Sequence, residues 1–141
     1  MPYNILIVDD SSSMRKVLKK AITMCNIGHI EFIEAENGAN ALDLMNKNWI
    51  DLVFTDINMP VMDGFELIKH LKNDNLLGNT PIIVITSELR TENTEDFKIN
   101  NIKHIIYKPF RPESIRELLI NLLGLEECDE SDNGEVEGID F

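Results

Sequence analysis

Residues that could act on a shared ligand recur at the ends of short apolar runs. Asp9 and Asp10 follow the run from Ile5 to Val8, and Asp56 closes residues 51–55. Thr86 and Ser87 close residues 82–86, and Lys108 with Pro109 follows residues 104–107. Three carboxylates brought to one place repel one another, and a divalent cation relieves that repulsion. Mg²⁺ takes oxygen ligands in octahedral geometry and keeps several waters. Asp10 and Asp56 could each give it a carboxylate oxygen, the Asn58 backbone carbonyl a third, and Asp9 could hold a bound water. A carboxylate is also a competent nucleophile toward phosphorus. Phosphoryl transfer needs alignment and positive charge around the equatorial oxygens more than covalent help. Lys108 supplies an ammonium for that purpose and Thr86 a hydroxyl. Each residue alone has a plainer reading: a helix-capping pair at Asp9-Asp10, a turn at Asp56, a strand end at Lys108-Pro109, a cap at Thr86-Ser87. Their common position at strand ends favours the chemical one.

The elements that must gather them alternate strand and helix. Residues 4–8 read as a buried strand. Ser11 to Ser13 then offer N-cap hydroxyls to a helix carrying Met14, Val17, Leu18, Ala21 and Ile22 at helical spacing. Residues 30–35 form a weaker strand, broken at Asn37-Gly38 before a helix with Ala41, Leu42, Leu44 and Met45. Residues 51–55 are a third strand. A turn-rich loop through Asn58-Met59-Pro60 and Asp63-Gly64 leads to a helix with Phe65, Leu67, Ile68 and Leu71. Residues 82–86 are the clearest β-branched run. Residues 88–101 are polar and only weakly helical. Residues 104–107 are the fifth strand, and Pro112 opens a last helix through Ile115, Leu118, Leu119 and Leu122, with Gly124 beyond it. Five such units predict a parallel sheet covered on both faces, with right-handed crossovers. Ligands of these sheets bind beyond the carboxyl ends of the strands. Trp49 is expected to pack at an edge beneath the second helix.

The 141 residues are 43% hydrophobic and 27% charged, an ordinary balance for one globular domain. The net charge of −12 is unevenly spread. Residues 125–141 hold eight acids and no Lys or Arg, leaving 13 bases against 17 acids, a net of −4, in residues 1–124. That balance offers no footprint for nucleic acid or an anionic membrane surface. No apolar run is long enough to span a bilayer and the start lacks a basic leader, so a cytoplasmic location is expected. Cys25 and Cys128 lack metal-site spacing and are expected to be free thiols. The expected organisation is one domain over residues 1–124 and an acidic tail over 125–141, whose closing Ile139-Asp140-Phe141 could be a docking motif.

The segments ILIVDDSSSMRKVL, LVFTDINMPVMDGFELIKHLK, PIIVITSE and YKPF resemble response-regulator receiver domains, most of all the single-domain chemotaxis (CheY-like) branch. The resemblance spans about residues 3–124. It implies a flavodoxin-like (βα)5 fold, a doubly wound five-stranded parallel sheet of order 2-1-3-4-5. It implies Asp56 as the phospho-acceptor, Asp9 and Asp10 as the acidic metal pair beside Mg²⁺, and Lys108 as the phosphate-binding lysine. Thr86 would be the switch hydroxyl and Tyr107 the switch aromatic. Asn58 and Glu88 fall where such proteins tune hydrolysis of the aspartyl-phosphate. The implied phosphodonor is a histidine kinase. The output partner would be a protein that prefers the phosphorylated form, such as a flagellar switch component or a phosphatase, met through residues 88–101, the fifth strand and the last helix. Two departures fall on that face: Asn100-Asn101 replace the usual Gly-Ala pair, and the stretch before them is unusually polar.

Three other readings are weaker. A haloacid-dehalogenase-type hydrolase needs a second acid two residues after its nucleophile, where this chain has Asn58. A flavodoxin-type flavin site needs a hydroxyl-rich phosphate loop, and Asp9-Asp10 would repel the flavin phosphate. A receiver that is never phosphorylated would not need the full residue set. A relay intermediate that passes the group to another histidine remains open beside the output role. The chain is expected to catalyse only its own phosphorylation and dephosphorylation.

Overall fold

The computed structural model describes residues 2–73, 80–87 and 102–124. Among the described residues there are five strands: β1 (Tyr3–Val8), β2 (Ile30–Ala35), β3 (Leu52–Thr55), β4 (Ile82–Thr86) and β5 (His104–Tyr107). Among the described residues, four helices accompany them: α1 (Ser12–Met24), α2 (Gly38–Lys47), α3 (Gly64–Asn73) and α4 (Pro112–Leu123). All strand pairs are parallel and the order is β2-β1-β3-β4-β5. This is the parallel sheet that the alternating pattern predicts, in the doubly wound flavodoxin-like order that the receiver-domain resemblance implies. Residues 88–101, where a weak helix is expected, and the tail 125–141 lie outside the described residues.

Strand residues point alternately to two apolar layers, which is why the strand sequences read as continuous apolar runs. Ile5, Ile7, Leu52, Phe54, Ile83, Ile85 and Ile106 meet Leu18, Ala21 and Ile22 of α1 and Ile115 and Leu119 of α4. On the other face Leu6, Val8 and Val53 meet Ala41 of α2 and Leu67 and Leu71 of α3. Among the described residues, α1 and α4 therefore cover one side, α2 and α3 the other.

The helix ends follow local chemistry. The Ser11 side chain accepts from the Met14 N–H and caps α1. Asn37 does the same for α2 through the Asn40 N–H, at 2.8 Å. Pro112 occupies the first turn of α4, and Gly124 closes that helix at φ +67, the left-handed cap that glycine permits.

One packing expectation fails. Trp49 is 79% exposed and does not pack beneath α2. Its indole N–H donates to Asp51 Oδ1 at 3.0 Å, while Asp51 Oδ2 accepts the Asn4 N–H at 2.8 Å. The ring is thus held outward by a polar tie at the entrance to β1 and β3, a satisfied donor with an exposed apolar body.

Candidate functional site

Strand order places the chemistry. β1 and β3 are neighbours at the centre of the sheet, with Val8 beside Thr55. The next residue on each strand is an aspartate. The Asp56 N–H continues the ladder to the Val8 carbonyl at 3.0 Å, and the Asp9 N–H bonds the Ala35 carbonyl at 3.1 Å. Between β1 and β3 the chain order reverses direction across the sheet, the crevice where such folds bind ligands. On the far side Thr86 pairs with Tyr107, and the Lys108 N–H donates to the Thr86 carbonyl at 2.9 Å. The peptide Lys108–Pro109 is cis.

The side chains converge as well. Lys108 Nζ stands 3.3 Å from Asp56 Oδ2 and 3.6 Å from Asp9 Oδ2, with all three side chains mostly buried. Asp56 Oδ1 accepts the Ile57 N–H at 2.7 Å, so its second oxygen is the one turned to the ammonium. Asp9 Oδ1 accepts the Ser11 N–H at 2.9 Å. Burial holds the Asp9 carboxyl above the ordinary carboxylate range. The Ser11 N–H and the Lys108 charge pull it back down, while Asp56 and Asp10 push it up.

Asp10 is exposed, close enough to weigh on Asp9 but outside the lysine-bridged pair. Among the described residues no three His, Cys, Asp or Glu side chains are gathered to hold a metal ion as they stand. An ammonium bridges Asp9 and Asp56 instead. The donor set still suits Mg²⁺: it is all oxygen, it lies on one rim, and one lysine charge is set against the Asp9 and Asp56 carboxylates with Asp10 beside them. Thr86 is fully buried at the end of β4. Tyr107, at the end of β5, is 41% exposed. Asn58 is exposed in the loop after Asp56. Glu88 lies outside the described residues.

The raised Asp9 carboxyl makes a signed prediction for the protein in chelator. A carboxylate that is easier to protonate when folded costs stability above its folded pKa, and the cost fades as pH falls through that value. Asp9→Asn keeps an acceptor for the Ser11 N–H. It should be the more stable protein at neutral pH, with an advantage that shrinks toward acid. Urea midpoints of the two proteins across pH measure this, and a constant or growing advantage would contradict it.

The loop after Asp56 is closed by backbone contacts at two glycines. The Gly64 N–H donates to the Ile57 carbonyl at 2.8 Å, and a Cβ on Gly64 would run into the Asp56 carbonyl oxygen. The Gly38 N–H donates to the Met62 carbonyl at 3.1 Å, and a Cβ there would lie 2.7 Å from Met62 Cγ. Asp63-Gly64 and Asn37-Gly38 were the available signals, but neither dipeptide says what lies against the glycine.

Between these contacts the Met62 N–H reaches back to the Pro60 carbonyl at 2.7 Å, with Val61 at φ +68 between them. A tight turn of this hand strains a β-branched residue, and Val61 is 80% exposed, so burial offsets little. Val61→Gly should relieve that strain at the expense of some unfolded-state entropy, a net stabilisation of about 0.5–1 kcal/mol. A raised urea midpoint with unchanged slope would show it.

An open five-stranded parallel sheet with a lysine-bridged pair of aspartates at its switch point defines a narrow class of α/β protein. The chain belongs to the response regulator receiver domain family, whose pattern it matches over residues 5–120. Within that family it is of the CheY type. It is 37% identical over 121 residues to a Campylobacter jejuni chemotaxis protein, a CheY homolog, covering 85% of this chain and 92% of that one. The structure of the Vibrio cholerae chemotaxis response regulator CheY4 matches with a TM-score of 0.74 at 31% identity, over 86% of this chain and 99% of that one. A Borrelia burgdorferi CheX–CheY–BeF3–Mg²⁺ complex contains a chain matching with a TM-score of 0.73 at 28% identity, over 87% and 90%. The protein is therefore a two-component signalling module of receiver type. Among the described residues no helix is long and apolar enough to cross a membrane.

Proposed function

We propose that this chain is a phospho-accepting chemotaxis response regulator: it takes a phosphoryl group from a histidine kinase onto Asp56 and then changes its affinity for a protein partner in the cytoplasm. The observation that carries this reading is the Lys108 ammonium set between the Asp56 and Asp9 carboxylates at the ends of three strands. Asp56 Oδ2 attacks phosphorus, the bond from phosphorus to the donor breaks, and the donor leaves with the electron pair. The Ile57 N–H holds the other oxygen and so fixes the direction of attack. Lys108, already beside Oδ2, meets the negative oxygens of the incoming group. Mg²⁺, held by Asp10, Asp56 and the Asn58 carbonyl with Asp9 through water, would supply the remaining positive charge. The Borrelia CheY in complex with CheX, BeF3 and Mg²⁺ supports both the ion and the binding of a second protein.

The new group adds about −1.5 to −2 charge and three strong acceptors. The Thr86 hydroxyl turns toward them, and Tyr107, now partly exposed, moves into the space released. Taking a population from 1:99 to 99:1 requires about 5.5 kcal/mol. A few charge-assisted hydrogen bonds at about 1.5–3 kcal/mol each reach that sum. A flagellar switch component or a phosphatase would read the altered face of residues 88–101, β5 and α4. Asn58 and Glu88 would set how fast water removes the group. Residues 1–124 form the receiver in this reading, ending at the Gly124 cap, and 125–141 a separate acidic tail.

Intact-mass spectrometry after incubation with acetyl phosphate and Mg²⁺ tests the core of it. One phosphoryl group should appear on the wild type and none on Asp56→Ala; equal uptake by both would refute Asp56 as acceptor.

A further inference from the structure

We infer that Arg15 is a positioning residue for the acidic pair Asp9-Asp10, an inference that rests on the reading of that pair as Mg²⁺ ligands. Arg15 lies on the first turns of α1, with its side chain only 16% exposed. Its Nη1 donates to the Asp9 backbone carbonyl at 2.6 Å, and its Nε to Glu34 Oε1 at 2.9 Å. Lys19 Nζ holds the other oxygen of Glu34 at 2.8 Å. Glu34 sits near the end of β2, the strand beside β1.

Asp9 is therefore held at four points. Its N–H bonds the Ala35 carbonyl, Oδ1 the Ser11 N–H, Oδ2 faces Lys108, and its carbonyl meets the guanidinium. The fourth hold fixes the plane of the peptide joining Asp9 to Asp10. That plane sets where the Asp10 carboxylate begins, and Asp10 is exposed, outside the Lys108 bridge that orients Asp9 and Asp56. Only a planar fork can reach the carbonyl and Glu34 together; a lysine offers one point charge on a flexible stem.

Simple electrostatics and positioning predict opposite signs. Arg15 is a cation near a cluster of acids, so its charge alone weakens Mg²⁺ binding, and removing it should tighten the site. If its function is to hold the peptide, removal should loosen the site. Residues that orient metal ligands are worth about 10–100-fold in affinity.

Isothermal titration of Mg²⁺ into the full chain, without phosphodonor, is to be compared for wild type, Arg15→Met and Arg15→Lys. Arg15→Met keeps the aliphatic stem and the helix; Arg15→Lys keeps the charge and guards against a folding defect in the first. Thermal unfolding in chelator reports whether each is folded. The expected result is about 10–100-fold weaker Mg²⁺ binding in both folded variants, with phosphoryl uptake from acetyl phosphate largely restored at saturating Mg²⁺. Unchanged or tighter binding in either folded variant overturns the role given to Arg15 and leaves the phospho-acceptor reading standing. A wild type that binds no Mg²⁺ overturns the ligand assignment itself, and the role of Arg15 with it.

Discussion

Lys108→Met is expected to slow phosphoryl uptake at Asp56 by about 10²–10³-fold, the usual consequence of removing one preorganised donor from developing negative charge. Methionine keeps an unbranched stem of similar length, so the loss can be assigned to the ammonium. In the resting protein that ammonium stands 3.3 Å from Asp56 Oδ2 and 3.6 Å from Asp9 Oδ2. Without it, Asp56 would receive an anionic phosphoryl donor with no cation from the protein beside its Oδ2, and the charge developing on the transferred group would lose its preorganised donor. Initial rates of aspartyl-phosphate formation from acetyl phosphate at saturating Mg²⁺ measure the effect. A variant within about tenfold of wild type, a difference of about 1.4 kcal/mol in barrier, would remove Lys108 from the reaction.

Gly64→Ala should have the largest effect on the fold for one added methyl group. The Cβ would be driven into the Asp56 carbonyl oxygen, with Ile57 Cα only 3.0 Å away. Both neighbours are backbone, so no rotamer change can make room. The strand end or the start of α3 must shift, and the Gly64 N–H bond to Ile57 would be stretched with it. Overpacking of this kind costs about 1–3 kcal/mol, and rigid backbone neighbours put it at the upper end. A domain of this size has about 5–15 kcal/mol in total. The urea midpoint should fall clearly, and phosphoryl uptake should fall with it, because the displaced peptide carries Asp56. Gly124→Ala is the contrasting case. Gly124 lies at φ +67 with open space around it, so alanine there should strain the α4 cap and leave uptake untouched.

The rim was readable from sequence because each part of it sits where an apolar run stops. Val8 to Asp9, Thr55 to Asp56 and Tyr107 to Lys108 are each an abrupt change from strand to charge, and parallel topology brings such ends together. The two layers of the core were readable for the same reason, since strands buried on both faces leave continuous apolar runs.

What pattern could not reveal was which particular atoms the fold brings into contact. The Arg15 grip on the Asp9 carbonyl joins a helix to the strand before it, and nothing in helical periodicity distinguishes that arginine from a solvated one. Gly64 is needed because of where the Asp56 carbonyl lies, a fact of packing. Trp49 was expected to be covered because tryptophan is large and apolar. Its N–H instead found Asp51, two residues on, and the polar tie holds the ring outward. The bridging of Asp9 and Asp56 by Lys108, with Asp10 left outside, likewise depends on side-chain reach that spacing does not encode.

Borohydride trapping with peptide mapping probes the acceptor most directly. An acyl phosphate on an aspartate is reduced to homoserine, while a carboxylate that carries no phosphoryl group is not. After phosphorylation with acetyl phosphate and Mg²⁺, homoserine should be found at position 56 and nowhere else. Homoserine at position 9 or 10, or a borohydride-resistant phosphate on a serine or threonine with Asp56 untouched, would contradict a receiver whose acceptor is Asp56.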